Sequence, residues 1–311
     1  MSEPRAVTPA PSSRDYWIGV AAAFATVAIW AAWPVITRYG VTGSLSPAAI
    51  GVLRFLPPAL LLAPVWWRIG LFPKGMSWKV MLALSCGGLP FFIGSTAGFQ
   101  YASVATSGSM LLGSTALLVA IIGVAVFRTR IDRSRLLGYG LIAAAVVLSL
   151  IHALLVGEKN VLLGSVLFLC SALSWAIYTV AFPLSRLSGI QAAALVSTWA
   201  LIIIFPFGAM EVVAAVRKGL YADIALQLVQ QGLLSAILAI WTYSIAITRI
   251  GPARAATLVT LTPLIAAVAA YFVLGEVPEM TVMIALGLAS AGVVLASRMP
   301  KSAPRLEHGP I

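Results

Sequence analysis

Apolar runs of around 20 residues follow one another along the whole chain, most of them closed by a short segment carrying proline, glycine or basic residues, and this succession leaves few folds open. A bilayer's hydrocarbon layer takes a helix of about 20 residues. A helix also pairs its own backbone groups where lipid offers no partner. The runs predict ten transmembrane helices near residues 17–37, 47–66, 79–100, 103–127, 136–154, 162–184, 190–215, 224–247, 252–274 and 280–297. Ser46-Pro47 and Gly251-Pro252 suit helix starts, because proline is preorganised for a first turn, and Pro73, Lys74 and Gly75 break the chain after the second span. Composition agrees with an all-α integral membrane protein: 61% of the 311 residues are hydrophobic and 9% are charged, against roughly 25% charged in soluble domains.

The 20 Lys and Arg against 9 acidic residues could suggest a nucleic-acid partner, but their placement excludes it. With the N-terminus in the cytoplasm, 15 basic residues fall on the inner side, while Arg38, Lys159, Arg217 and Lys218 make 4 on the outer side. Basic bias near span ends sets orientation, so both termini are expected in the cytoplasm of a bacterial inner membrane, as tails at 1–16 and 298–311. The first apolar run continues into Arg38 without a small-residue cleavage site, which reads as a retained span and not a signal peptide. Cys86 and Cys170 lie inside apolar segments as packing residues, and no CxxC, His/Cys cluster or Walker sequence occurs. No metal and no cofactor is expected.

Self-similarity appears at one long period. Residues Gly140 to Leu148 recur with three changes as Gly287 to Leu295, a separation of 147, and the same separation pairs Ser114-Thr115-Ala116-Leu117 with Leu261-Thr262-Pro263-Leu264. Two helices agreeing on one register indicate duplication, giving repeats at 17–154 and 162–297. Because each repeat holds five spans, an odd number, the second must cross the membrane in the opposite sense. Inverted repeats of this kind place a transporter's substrate near the midplane between them.

Leu261-Thr262-Pro263 in the ninth expected span and Leu274-Gly275-Glu276 at its end, within two five-helix halves, resemble the drug/metabolite transporter superfamily and its ten-helix EamA-type exporters. The resemblance covers about residues 17–297. The first half departs from the pattern, with Ala116 in place of the proline and Thr129 in place of the glutamate. Similarity to the amino-acid exporters of that family implies secondary export of neutral, including aromatic, amino acids.

In the first span Thr26, Trp30, Trp33 and Thr37 share one helical face, and in the sixth Ser171, Trp175, Tyr178 and Phe182 repeat the spacing at an offset of 145. A polar-aromatic stripe in corresponding helices suits a central cavity. Ordinary packing is the competing explanation, as it is for Trp17, Trp66, Trp67 and Trp78 at span ends. Gln100, Tyr243, Thr257, Thr260, Ser107 and Ser114 are further hydrogen-bonding candidates, with helix packing again the alternative. Arg54 lies about two turns inside its span, where it could bind an anionic group or snorkel to the interface.

The nine acidic residues all lie in tails, loops or span ends, so the mid-membrane carboxylate used by proton relays and drug-cation sites is absent from the pattern. A zwitterionic amino acid fits the remaining groups, with its ammonium on aromatic faces and its carboxylate on hydroxyl or indole donors. The alternatives are a carrier of another metabolite or drug, such as a nucleotide sugar or phosphorylated compound, which would want several cavity cations, and a membrane enzyme. His152 at a span end and His308 in the tail are the two histidines, with no acid/base or nucleophile pair at depth, so no enzyme activity is expected. Lipid and a small-molecule substrate are the partners these features imply.

Overall fold

A computed structural model describes residues 13–128, 131–156 and 159–297. Thr129 and the greater part of both expected tails lie outside the described residues. The described residues are helical throughout their regular structure, with no strand. Among the described residues eight helices are long and apolar enough to cross a membrane, or nine if a bent pair counts as one span. The tenth expected segment is the helix α15 (Met280–Ala296), which at 17 residues is shorter than the others.

Proline and glycine explain where the remaining helices bend or divide. Helix α1 runs Ser13–Thr42 with Pro34 inside it. Helix α2 (Pro47–Leu61) opens on Ser46, whose hydroxyl accepts from the Ala49 N–H, and carries Pro57 and Pro58 in its later half. Neither proline can donate to the preceding turn, and α2 gives way to α3 (Ala63–Ile69) through a bend of 68°. The third expected span is α4 (Trp78–Ser85) and α5 (Leu89–Tyr101), parted by Cys86, Gly87 and Gly88. The fourth is α6 (Val104–Ser107), a π-helical stretch over Gly108–Gly113 and α7 (Ser114–Phe127). Helices α8 (Arg133–Leu155), α9 (Lys159–Ser185) and α10 (Gly189–Arg217) are continuous. Then come α11 (Tyr221–Gln227), a longer π-helical stretch over Leu228–Leu238, α12 (Ala239–Ile250), α13 (Pro252–Val259) and α14 (Thr262–Leu274).

These helices form two compact units, Met1–Phe72 with Gly189–Gly275, and Pro73–Ser188 with Glu276–Ile311. Neither coincides with a sequence repeat, since each unit takes spans from both halves of the chain. In the first unit α1 packs on α12 and α14, and α2 on α10. In the second, α9 packs on α5 and α7, and α8 on α15. Lipid tails are as apolar as leucine, so close van der Waals fit must hold such pairs. Small residues provide it: a Cβ on Gly208 would collide with the Ala48 backbone, and one on Gly292 would come within 2.7 Å of the Gly138 carbonyl oxygen. Phe99 and Phe168, both fully buried, meet edge to face at 4.9 Å where α5 crosses α9.

The 147-residue register found in the sequence also relates the ends of elements. Helix α7 ends at Phe127 and α14 at Leu274, and each is followed by a left-handed residue, Arg128 with φ 53° and Gly275 with φ 68°. The next helices begin at Arg133 and Met280, again 147 apart.

Candidate functional site

In the first unit the α1 stripe divides into a committed part and an open part. Thr26 is fully buried, and its hydroxyl lies 2.9 Å from the Ala22 carbonyl and 2.8 Å from the Thr242 hydroxyl of α12. It joins two helices. One turn along, Trp30 is half-buried and its ring lies 5.5 Å from that of Tyr243, also half-buried. Trp33 is buried, with the Arg54 guanidinium 5.8 Å from its ring centre and equally far from that of Phe55.

Arg54 is tied to a neighbouring helical stretch. Its Nη1 donates to Gln231 Oε1 at 2.9 Å, across from α2 to the π-helical stretch. The Gln231 Nε2 donates in turn to Thr37 Oγ1 at 2.8 Å and to Gln227 Oε1 at 3.2 Å. Thr37 passes the chain on to the Trp33 carbonyl at 2.6 Å, and Gln227 Nε2 donates to the Ile36 carbonyl at 2.6 Å. Gln230 reaches the Ile29 carbonyl at 2.8 Å. Three nearly buried glutamines on one short stretch therefore cross-link α1, with one of them also holding Arg54. A polar group left unpaired inside a bilayer costs several kcal/mol, so these amides are held in fixed directions. These three glutamines are outside the set of residues expected from the sequence. The available signal was Gln227, Gln230 and Gln231 at i, i+3 and i+4 within an otherwise apolar run, which puts them on one helical face.

The second unit holds the other stripe. Trp175 is 36% exposed and Tyr178 half-buried, and the rings form a ladder: Phe91 to Trp175 at 4.8 Å, Trp175 to Tyr178 at 5.1 Å, and Tyr178 to Phe182 at 6.0 Å. Gly87 makes room for it, since a Cβ there would strike the Tyr178 ring. Ser171 is fully buried beneath Gly94 and donates to the Leu167 carbonyl at 2.9 Å. Its hydroxyl is therefore held inside a helix contact. Gln100 is exposed near the end of α5. Thr260 donates to the Thr257 carbonyl at 2.6 Å, closing the break between α13 and α14.

Thus Trp30, Trp33 and Tyr243 come together with α1 and its neighbours in one unit, and Trp175 and Tyr178 with α5 in the other. Among the described residues no three His, Cys, Asp or Glu side chains gather in a way that could hold a metal ion.

Known proteins complete the picture. A protein of Archaeoglobus fulgidus described as an uncharacterized transporter is 27% identical over 281 residues, 88% of this chain and 94% of that protein. A crystal structure of another protein superposes with a TM-score of 0.52 at 16% identity, covering 90% of this chain and 97% of that one, which is a likeness of fold. The pattern of the EamA-like transporter family matches residues 17–151 and again 162–298. With multiple apolar membrane helices and that pattern over most of its length, the chain is a multi-pass membrane transporter and belongs to the EamA-like transporter family.

Proposed function

We propose that this protein is a secondary transporter exporting small neutral amino acids, aromatic ones among them, across a bacterial inner membrane by alternating access. Family membership already implies a small-molecule substrate and a membrane setting. The amino-acid reading is carried by the half-buried Trp30–Tyr243 pair, which presents aromatic faces one turn from the buried Trp33. Such faces hold an ammonium by cation–π attraction worth about 0.5–2 kcal/mol and stack on a flat side chain. Recognition built this way is broad and of modest affinity.

The accompanying architecture is ten spans in two inverted five-helix repeats with both termini cytoplasmic. Supporting it are the shared 147-residue register of left-handed caps and helix starts, the 15-to-4 basic bias, and the exchange of partners by which α1 packs on α12 as α9 packs on α5. The test is counterflow in proteoliposomes with a panel of labelled amino acids, amines and sugar phosphates. Accumulation of neutral amino acids by exchange is the expected result. Exchange confined to sugar phosphates, or to amines, would replace this function with another.

A further inference from the structure

We infer that Arg54 is the residue that takes the solute's carboxylate, so that this transporter selects solutes carrying an anionic carboxylate near a flat apolar side chain and rejects the matching amines and amides. The inference rests on the solute site proposed above and names the polar half of it. Of the 20 basic residues, Arg54 alone sits well within an expected span. It is half-buried, so part of its surface stays open. A guanidinium at a lipid-facing or snorkelling position would point to the headgroups, whereas this one turns inward to Gln231.

Its orientation is also fixed in advance. Gln231 is fully buried, and its amide nitrogen is tied to Thr37 and Gln227, so its oxygen can only be offered toward Arg54. The rings of Trp33 and Phe55 flank the cation at 5.8 Å each. A planar guanidinium braced in this way matches a carboxylate's two oxygens, and attraction between opposite charges grows as water is excluded. Trp30 and Trp33 are one turn apart on α1, so the Trp30–Tyr243 pair lies one helical turn from the ring that the cation contacts. A carboxylate at Arg54 then leaves the side chain of an aromatic amino acid directed toward those faces, and the positive charge of an amine without a carboxylate meets Arg54 as a like charge.

Four ligands of one shape separate the possibilities: phenylalanine, phenylalaninamide, phenethylamine and 3-phenylpropionate, each measured for binding to the purified full-length protein by thermal stabilisation. Wild-type protein should bind phenylalanine and 3-phenylpropionate at least about tenfold more tightly than phenylalaninamide or phenethylamine, the loss expected for one hydrogen bond to a charged group. Arg54→Gln should bring the four within about threefold, and Arg54→Lys should keep part of the preference through its charge. An acid-over-amide preference as large as wild type's in Arg54→Gln, or in Arg54→Lys should the glutamine variant fail to fold, overturns the role of Arg54. Equal binding of acid and amide by the wild type, or binding of none of the four, overturns the carboxylate role. Binding of 3-phenylpropionate without phenylalanine would keep Arg54 as an anion site and overturn the amino-acid function instead.

Discussion

Trp30 and Gln231 sit close to the same polar seam but should fail in different ways when altered. Trp30 shares one ring contact with Tyr243 and is half-buried, so its truncation removes a face without opening a sealed core. Trp30→Ala is expected to weaken apparent affinity for aromatic substrates several-fold to about tenfold, given about 0.5–2 kcal/mol for such a contact, while protein abundance in the membrane stays near wild type. Unchanged affinity would remove Trp30 from the binding site. Gln231→Leu strands the partners of a fully buried amide, among them Arg54 and Thr37, and should cost about 1–3 kcal/mol of stability, read as a lower melting temperature in detergent. A melting temperature equal to wild type would show that the network is not holding α1. The aromatic stripe was legible in the sequence because indole rings inside apolar runs are conspicuous at helical spacing. Fates of the hydroxyls were not legible: Thr26 and Ser171 share the stripe's register, yet a small neighbour such as Gly94, known only from tertiary packing, decides that Ser171 is sealed in.

Helix existence was readable from hydropathy alone, because lipid imposes the length of each apolar run and its punctuation. Continuity was not. Pro57 and Pro58 do not stop α2, but the chain bends by 68° a few residues later, and nothing in the hydropathy pattern marked the π-helical stretches over Gly108–Gly113 and Leu228–Leu238. The paired helix ends offer a test of the repeat. Left-handed backbone costs a residue with a Cβ about 1–2 kcal/mol, and this register puts Gly275 at one cap and Arg128 at the other. Arg128→Gly should therefore stabilise the protein by about 1 kcal/mol and Gly275→Ala should destabilise it by a similar amount, measured by denaturant or thermal melting in detergent. If both changes prove neutral, the left-handed caps at these two ends are not real features of the folded chain. At the α8–α15 crossing, Gly292→Val drives a branched side chain into Gly138 and Ile142, and folded yield should fall sharply compared with Gly140→Val, where open space surrounds the site.

Energy coupling is the property of the entire chain on which the acidic residues bear most directly. Carriers driven by protons use a carboxylate within the membrane that alternately binds proton and substrate. The carboxylates resolved here are occupied elsewhere, at helix ends: Asp15 pairs with Arg249, Glu211 accepts from Ser46, Asp223 accepts from Tyr39 at 3.1 Å and Ser44 at 2.6 Å, Glu276 accepts from the Val104 N–H at 2.9 Å, and Glu279 lies 3.7 Å from His152. Asp132 is in the turn before α8. Apart from Asp132, each of these braces a helix terminus in its own unit, which serves folding and leaves no acid at depth among the described residues to carry a proton inward as solute leaves. Substrate flux down its own gradient in proteoliposomes should therefore persist when an ionophore collapses the proton gradient, with the initial rate within about twofold of the untreated vesicles, a change worth only about 0.4 kcal/mol. Complete loss of flux under the ionophore would count against this reading and place a proton carrier among these acids.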